Sequence, residues 1–328
     1  MKFSVVIPCF NYGDMLPTAI ESVLQQGRDD VEIIVGDDAS TDETPAVLAR
    51  YDRQVRAFTN PVNRGHGTTW GECIARAKGE AIVNLDADDW LLPGYFERAA
   101  VGFEAGAGAV VCSTYDHRIN TGEITVRRVS ETDMLQSADE FREKLLRRIF
   151  FRTPGMAWRR DLGAQCQPPR SDIWHADWEY MLRVTRGQSA YLLGEPAAVY
   201  RIHDKSISQT SGQRLTKIRD HLERFASLVR SPDEEAYLEP AERRIFAVGL
   251  SELYLRMVGS TQDPRSIREV LSHIAFAVKL AASEKPVLSM RAMLKASALV
   301  GERLAGRSES ATVAIASLKP SPSHDAQR

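Results

Sequence analysis

Residues 85–90 read Leu-Asp-Ala-Asp-Asp-Trp, three carboxylates placed where an apolar run stops. Like charges this close repel, so the cluster is costly unless a cation or hydrogen-bond donors meet it. Carboxylate oxygens are hard ligands that suit Mn2+ or Mg2+, and a few of them plus substrate phosphates complete an octahedral shell. A solvated acidic turn that caps the next helix is the plainer reading of the same residues. A second acidic pair, Asp37-Asp38, follows Val35-Gly36 at the end of another apolar run. A carboxylate there can accept from a base N–H or a ribose hydroxyl, while Ser40 or Thr41 is expected to cap the following helix. A third segment, Ile7-Pro8-Cys9-Phe10-Asn11-Tyr12-Gly13, ends the first apolar run, where backbone and an aromatic face can border a planar base. Alone it is only a turn.

These segments need elements to hold them. Residues 3–7 are β-branched or aromatic and apolar almost throughout, which suits a strand covered on both faces. In residues 16–26 the apolar positions Leu16, Ala19, Ile20, Val23 and Leu24 fall at three- and four-residue steps and make one helical stripe. Strands at 31–35, 55–59 and 81–85 alternate with helices at 41–51 and 68–78. That order implies an α/β fold with a mostly parallel, helix-covered sheet and ligands at the carboxyl ends of its strands. A helix over 93–104 and a strand over 109–112 close this first half.

Further on, the pattern predicts a hairpin over 119–129 around Thr121-Gly122 and an amphipathic helix over 137–149 with a Ser137/Glu140 capping box. A helix over 174–186 and two short strands, 191–193 and 198–202, follow. Beyond residue 212 the periodicity is helical, over 215–229, 240–258, 264–282 and 288–304, and residues 307–328 are polar and expected to be disordered. The expected divisions are 1–112, 113–211, 212–305 and 306–328, with no internal repeat.

The chain has 328 residues, and its 42 basic and 44 acidic side chains nearly cancel to a formal charge of -2. No global field gathers nucleic acid, so an anionic ligand must be held locally. The four cysteines match no zinc spacing, no apolar stretch reaches membrane length, and the first residues lack a signal-peptide pattern. A cytoplasmic location is expected. Residues 288–304 carry Arg291, Lys295, Glu302 and Arg303 among apolar side chains, a pattern compatible with peripheral membrane contact as well as with packing.

Taken together, VVIPCFNYGDMLPTAIESVLQQ, EIIVGDDASTDET, NRGHGTTW and AKGEAIVNLDADDW resemble the nucleotide-binding half of family 2 glycosyltransferases with the GT-A fold. The resemblance spans roughly the first hundred residues, which is more specific than any one motif. It implies a GT-A-like sheet with a C-terminal helical extension, and inverting transfer of a sugar from a nucleotide-diphosphate donor to a saccharide or lipid-linked acceptor. Such a reaction belongs to polysaccharide, lipopolysaccharide or glycoconjugate synthesis. By the same resemblance Asp38 contacts the nucleobase, with Pro8, Phe10 and Tyr12 beside it, and Asp86 holds the ribose. Asp88 and Asp89 hold the diphosphate-bound Mn2+ or Mg2+.

The likeness continues more weakly beyond residue 150. In Trp174-His175-Ala176-Asp177-Trp178-Glu179 it places Asp177 as the catalytic base. Residues 153–160, with Gly155 and Met156, resemble the segment lining donor sugar and acceptor, as does Trp178. Tyr200-Arg201-Ile202-His203 resembles the closing Arg-x-His segment, which puts His203 near the metal or diphosphate. Asp177 as a simple helix-end carboxylate, and His203 as a merely hydrogen-bonded strand-edge residue, stand as alternatives.

This chain departs from the pattern twice. Trp70-Gly71 stands where an Arg-Asn pair is common, leaving Arg64 as the candidate charge, and Ala176 replaces the first acid of the base pair. Ala176 keeps open a non-catalytic sugar-nucleotide binder. A nucleotidyltransferase would carry a glycine-rich basic loop, which residues 8–14 lack, and Gly65, Gly67 and Gly71 make a poor dinucleotide fingerprint.

Overall fold

The computed structural model describes residues 1–206 apart from Trp174, together with Leu238, Glu239, Glu242, Ile245, Phe246 and Gly249. The chain divides into two compact units, Met1–Glu242 and Arg243–Arg328, and every numbered element belongs to the first. The helices expected over 215–304 and the tail 307–328 lie outside the described residues, save for the few positions named.

The first elements run β1 (Phe3–Cys9), α1 (Leu16–Leu24), β2 (Val31–Asp37), α2 (Thr44–Arg50), β3 (Val55–Thr59), α3 (His66–Arg76) and β4 (Ala81–Asn84). β1 is central and wholly buried, and it pairs in parallel with β2 on one side and β4 on the other. Burial on both faces is what its sequence, apolar but for Ser4, requires. α1 lays Leu16, Ala19, Ile20 and Val23 against the sheet, as its stripe predicts.

Helix α2 starts three residues later than expected, and Ser40 and Thr41 do not cap it. Asp42 accepts from the backbone N–H and hydroxyl of Thr44 at 2.9 and 2.6 Å, which fixes the first turn there. Ser40 instead accepts the Asn11 N–H at 2.8 Å and ties the β1 and β2 ends together.

The later elements are β5 (Trp90–Leu91), α4 (Tyr95–Glu104), β6 (Ala109–Arg118), β7 (Glu123–Arg127), β8 (Met134–Gln136), α5 (Ala138–Arg147), β9 (Met156–Arg159), α6 (Arg160–Ala164), α7 (Ala176–Val184) and β10 (Ala190–Ile202). The sheet order is β3-β2-β1-β4-β9-β6-β10-β5, with β7 on β6 and β8 on β10. The first half is parallel as expected. β9, however, runs antiparallel to both β4 and β6, which makes the whole sheet mixed.

The two short strands expected at 191–202 are one strand, β10, whose register shifts between Leu193 and Ala198. Gly194 and Pro196 fall in that shift, where a missing side chain and a missing N–H break the ladder without ending the strand. The hairpin around Thr121-Gly122 and the Ser137/Glu140 capping box both form.

Trp70, Trp158 and Tyr180 meet edge to face, with ring centroids 5.3–6.1 Å apart, and join α3, β9 and α7 into one core. Trp70 therefore stands in the core rather than supplying a substitute for the missing charge. Cys9, Cys73 and Cys112 are buried free thiols, each pushed up to about 12 by burial, so they pack as small apolar groups.

Candidate active site

The cleft forms where β1, β2 and β4 end. Asn11 and Ala39 both take positive φ angles, 58° and 62°, as the chain turns sharply at the ends of β1 and β2. Asn11 holds this geometry by accepting the Thr41 N–H at 2.8 Å. Gly36 lets α3 approach β2, since a Cβ there would lie 2.7 Å from Cys73 Sγ and Phe58.

Asp38 is 2% exposed. One of its oxygens accepts from Asn60 Nδ2 and the Arg64 N–H, both at 2.9 Å, and the other from the Gly65 N–H at 2.8 Å. Burial works to raise its pKa, but these donors outweigh burial and hold the carboxyl below its ordinary value, so it stays ionised. Asp38 lines a cleft of about 510 Å³ with Pro8, Phe10, Tyr12, His66 and Lys205.

Asp86 begins the acidic cluster. Its Oδ2 accepts from the Thr153 hydroxyl at 2.6 Å, and its Oδ1 lies 3.5 Å from His66 Nε2. Desolvation pulls the His66 imidazole down, but the Asp86 carboxylate outweighs this and lifts it above its ordinary value. Asp86 is lowered in turn: burial opposes ionisation, and His66 and Thr153 overcome it.

Asp88 Oδ2 lies 3.0 Å from His203 Nε2, and the Tyr12 ring meets the His203 ring edge-on at 5.7 Å. Burial, then the charges of Asp88, Asp86 and Asp89, push the Tyr12 hydroxyl up, so it remains a neutral donor. Asp177 sits in the first turn of α7. Burial raises its pKa, the Asp86 charge adds to the rise, and His175 and His66 oppose it.

The sequence-predicted residues separate into two groups. Pro8, Phe10, Tyr12 and Asp38 line the cleft; Asp86 pairs with the cleft's His66, on which the charges of Asp177 and Asp88 also act, and His203 joins Asp88 to Tyr12. The others lie elsewhere. Asp89 is fully buried, and burial and then the charges of Asp88 and Asp86 favour its neutral form, against the Arg201 N–H that it accepts at 2.7 Å; a neutral carboxyl is a poor cation ligand. Arg64 contributes its backbone to Asp38, while its guanidinium pairs with Glu72.

Gly155 and Met156 are buried, and Met156 pairs with Asn84 in the sheet. Trp178 is fully buried and donates its indole N–H to Leu145 O at 2.6 Å, so it packs α7 on α5 and cannot line an open site. Sequence reasoning passed over His66 and Asn60, and gave Thr153 and Lys205 no role of their own. The Asn-x-x-His spacing at residues 63–66, next to a charge-poor helix start, is the signal that could have found His66.

Among the described residues no group of three or more His, Cys, Asp or Glu forms a metal cage. Asp88 Oδ2 and His203 Nε2, in contact at 3.0 Å, would nevertheless serve together as ligands of one cation. A carboxylate oxygen and an imidazole nitrogen suit Mn2+, and phosphate and water would complete its shell.

Comparison with known proteins bears on the family and the fold. The profile of "Glycosyl transferase family 2" matches residues 4–163. An uncharacterized glycosyltransferase of Nostoc sp. is 30% identical over 213 residues, 62% of this chain and 65% of the relative, so the chain spans just under two thirds of that protein. A GalNAc(5)-diNAcBac-PP-undecaprenol beta-1,3-glucosyltransferase of Campylobacter jejuni is 38% identical over 97 residues, 28% of this chain and 31% of the relative.

Among solved structures, S. aureus TarS 1-349 in complex with UDP-GlcNAc superposes with a TM-score of 0.66 at 16% identity, over 92% of this chain and 88% of that one. The mannosyltransferase PcManGT of Pyrobaculum calidifontis, in complex with GDP-Man and Mn2+, superposes with a TM-score of 0.53 at 17% identity, over 94% and 88%. Over β1 to α6 the chain matches glycosyl transferase family 2, and its architecture is the GT-A fold of the glycosyltransferases on which it superposes.

Proposed function

We propose that the chain is an inverting, metal-assisted glycosyltransferase that moves a sugar from a nucleotide-diphosphate donor onto an acceptor hydroxyl in polysaccharide or glycoconjugate assembly. The observation that carries this reading is a cleft lined by Asp38 and His66, with the charges of Asp86, Asp88 and Asp177 all acting on that histidine and Asp38, Asp86 and Asp177 each in a different environment.

Asp38, ionised and rigidly held, accepts from the base. Asp86 takes the ribose, steadied by Thr153 and His66. Asp88 and His203 hold the cation, which when bound offsets the charge of the departing diphosphate. Asp177 accepts the proton of the acceptor hydroxyl as that oxygen attacks the anomeric carbon from the face opposite the diphosphate. A single displacement inverts the configuration, and the proton ends on the Asp177 carboxyl. The raised pKa of Asp177 suits a base, because it makes the carboxylate a better proton acceptor than an ordinary one.

The undecaprenol-linked substrate in the Campylobacter relative's name supports a lipid-linked saccharide as one acceptor class. No described helix is long and apolar enough to cross a membrane, and peripheral contact at its cytoplasmic face fits such an acceptor. The test is a panel of UDP- and GDP-sugars incubated with the purified full chain and Mn2+. Metal-dependent release of nucleoside diphosphate from at least one donor is expected; release from none would overturn enzymatic sugar transfer in favour of a binder.

A further inference from the structure

A second charged cluster lies outside the cleft. Asp116, on β6, is 6% exposed, and its carboxylate accepts from the Thr114 hydroxyl at 3.0 Å. Two guanidiniums converge on it. Arg127, from β7, reaches Oδ2 at 3.4 Å, and Arg152 binds both oxygens, its Nε lying 3.1 Å from Oδ2. Arg152 also covers the Tyr200 ring at 4.3 Å.

Burial disfavours ionisation of Asp116, but Arg152 and then Arg127 outweigh it, so the group is an anion. The cluster therefore holds two positive charges against one negative. Among the described residues neither guanidinium has another acid within ion-pair distance. Their side chains remain 41% and 27% exposed, so both present N–H donors to solvent.

A structural staple for the β6–β7 hairpin needs only one arginine on Asp116. The second leaves a surplus charge held partly out of water, where burial and then Arg152 push the Arg127 guanidinium down. An arginine fork matches phosphate geometry, and two forks around one fixed acid preorganise the receiving groups. The place is also informative. Arg152 directly precedes Thr153, whose hydroxyl donates to Asp86, so one short loop serves both clusters.

We infer that Arg127 and Arg152 receive a phosphoryl group carried by the acceptor. This rests on the sugar-transfer reading and narrows its acceptor class to anionic ones, whether a phosphorylated saccharide or a lipid-linked saccharide phosphate.

Two probes separate the sources: glucose 6-phosphate against glucose in calorimetric titration, and vesicles of phosphatidylcholine with or without polyprenyl phosphate in a sedimentation assay. The full-length chain should bind the phosphorylated form of at least one probe and show no preference between the neutral controls. Arg127→Gln removes the surplus charge yet leaves Asp116 paired with Arg152, so the fold survives, and it should weaken binding about tenfold, as for loss of one charge-assisted hydrogen bond. Asp116→Asn, which frees both forks, should tighten it, while Lys205→Ala, in the donor cleft, should not change it. No binding of either phosphorylated probe, or equal binding by wild type and Arg127→Gln, would overturn the proposal. Sugar-nucleotide binding on the same preparations reports the donor cleft separately, so its loss alone would count against sugar transfer and not against this site.

Discussion

Up to residue 91 the groups that face the cleft arrive at the ends of parallel strands, His66 at the start of α3 excepted, whereas beyond residue 109 they arrive from a loop, the start of a helix and the end of a bulged strand. Asp38 follows β2 directly, and Asp86 and Asp88 follow β4 within four residues. Thr153, Asp177 and His203 instead reach the same place through β9, α7 and β10. The side from the first half, which the proposed function gives to the donor, is thus built by local rules that repeat with each strand. The side from the second half, which the proposed function gives to the acceptor, is built by tertiary packing, so its chemistry can vary while the sheet end stays fixed.

The largest expected effect bears on what belongs to that second half's core. Trp178→Ala should cost about 3–5 kcal/mol of stability, read from denaturant unfolding, because it empties a packed site between α5 and α7. A neutral result would mean that Trp178 lines substrate after all.

Next in size is Asp177→Asn. It should preserve donor binding and lower turnover about a hundredfold or more, roughly 2.7 kcal/mol of barrier. Unchanged turnover would leave Asp177 as a helix-end carboxylate.

A smaller effect follows from the same residue. The folded-state pKa of Asp177 is raised, and the base must be ionised, so the rate should fall as pH drops through that raised value. The acid limb should therefore lie above the ordinary aspartate range of about 3.9, and the residual activity of Asp177→Asn should lack it. Persistence of the limb in the variant would assign it elsewhere.

Much of the donor half was legible in the residues themselves. The run at 3–7 reads as a buried strand because only Ser4 interrupts its apolar residues, and Leu16, Ala19, Ile20 and Val23 declare their face by spacing alone. The start of α2 was misplaced because Ser40, Thr41 and Asp42 are all good caps, and the choice depends on Asn11, about thirty residues away, claiming Ser40.

β9 gave no clear signal. Its four residues become a strand only because β4 and β6 leave a slot between them. Gly155, Met156 and Trp178 fell near a motif yet are buried in the core, since closeness along the chain does not fix which way a side chain points. His66 escaped notice because the acid that gives it meaning, Asp86, lies twenty residues further on and meets it only in the folded cleft.

The most direct measurement is calorimetric titration of the sugar nucleotide preferred in the panel, with and without Mn2+, on the wild-type chain and on Asp88→Ala. Manganese should strengthen donor binding to the wild type and leave the variant's affinity unchanged. An equal gain from manganese in both proteins would contradict a cation held by Asp88 at the donor diphosphate.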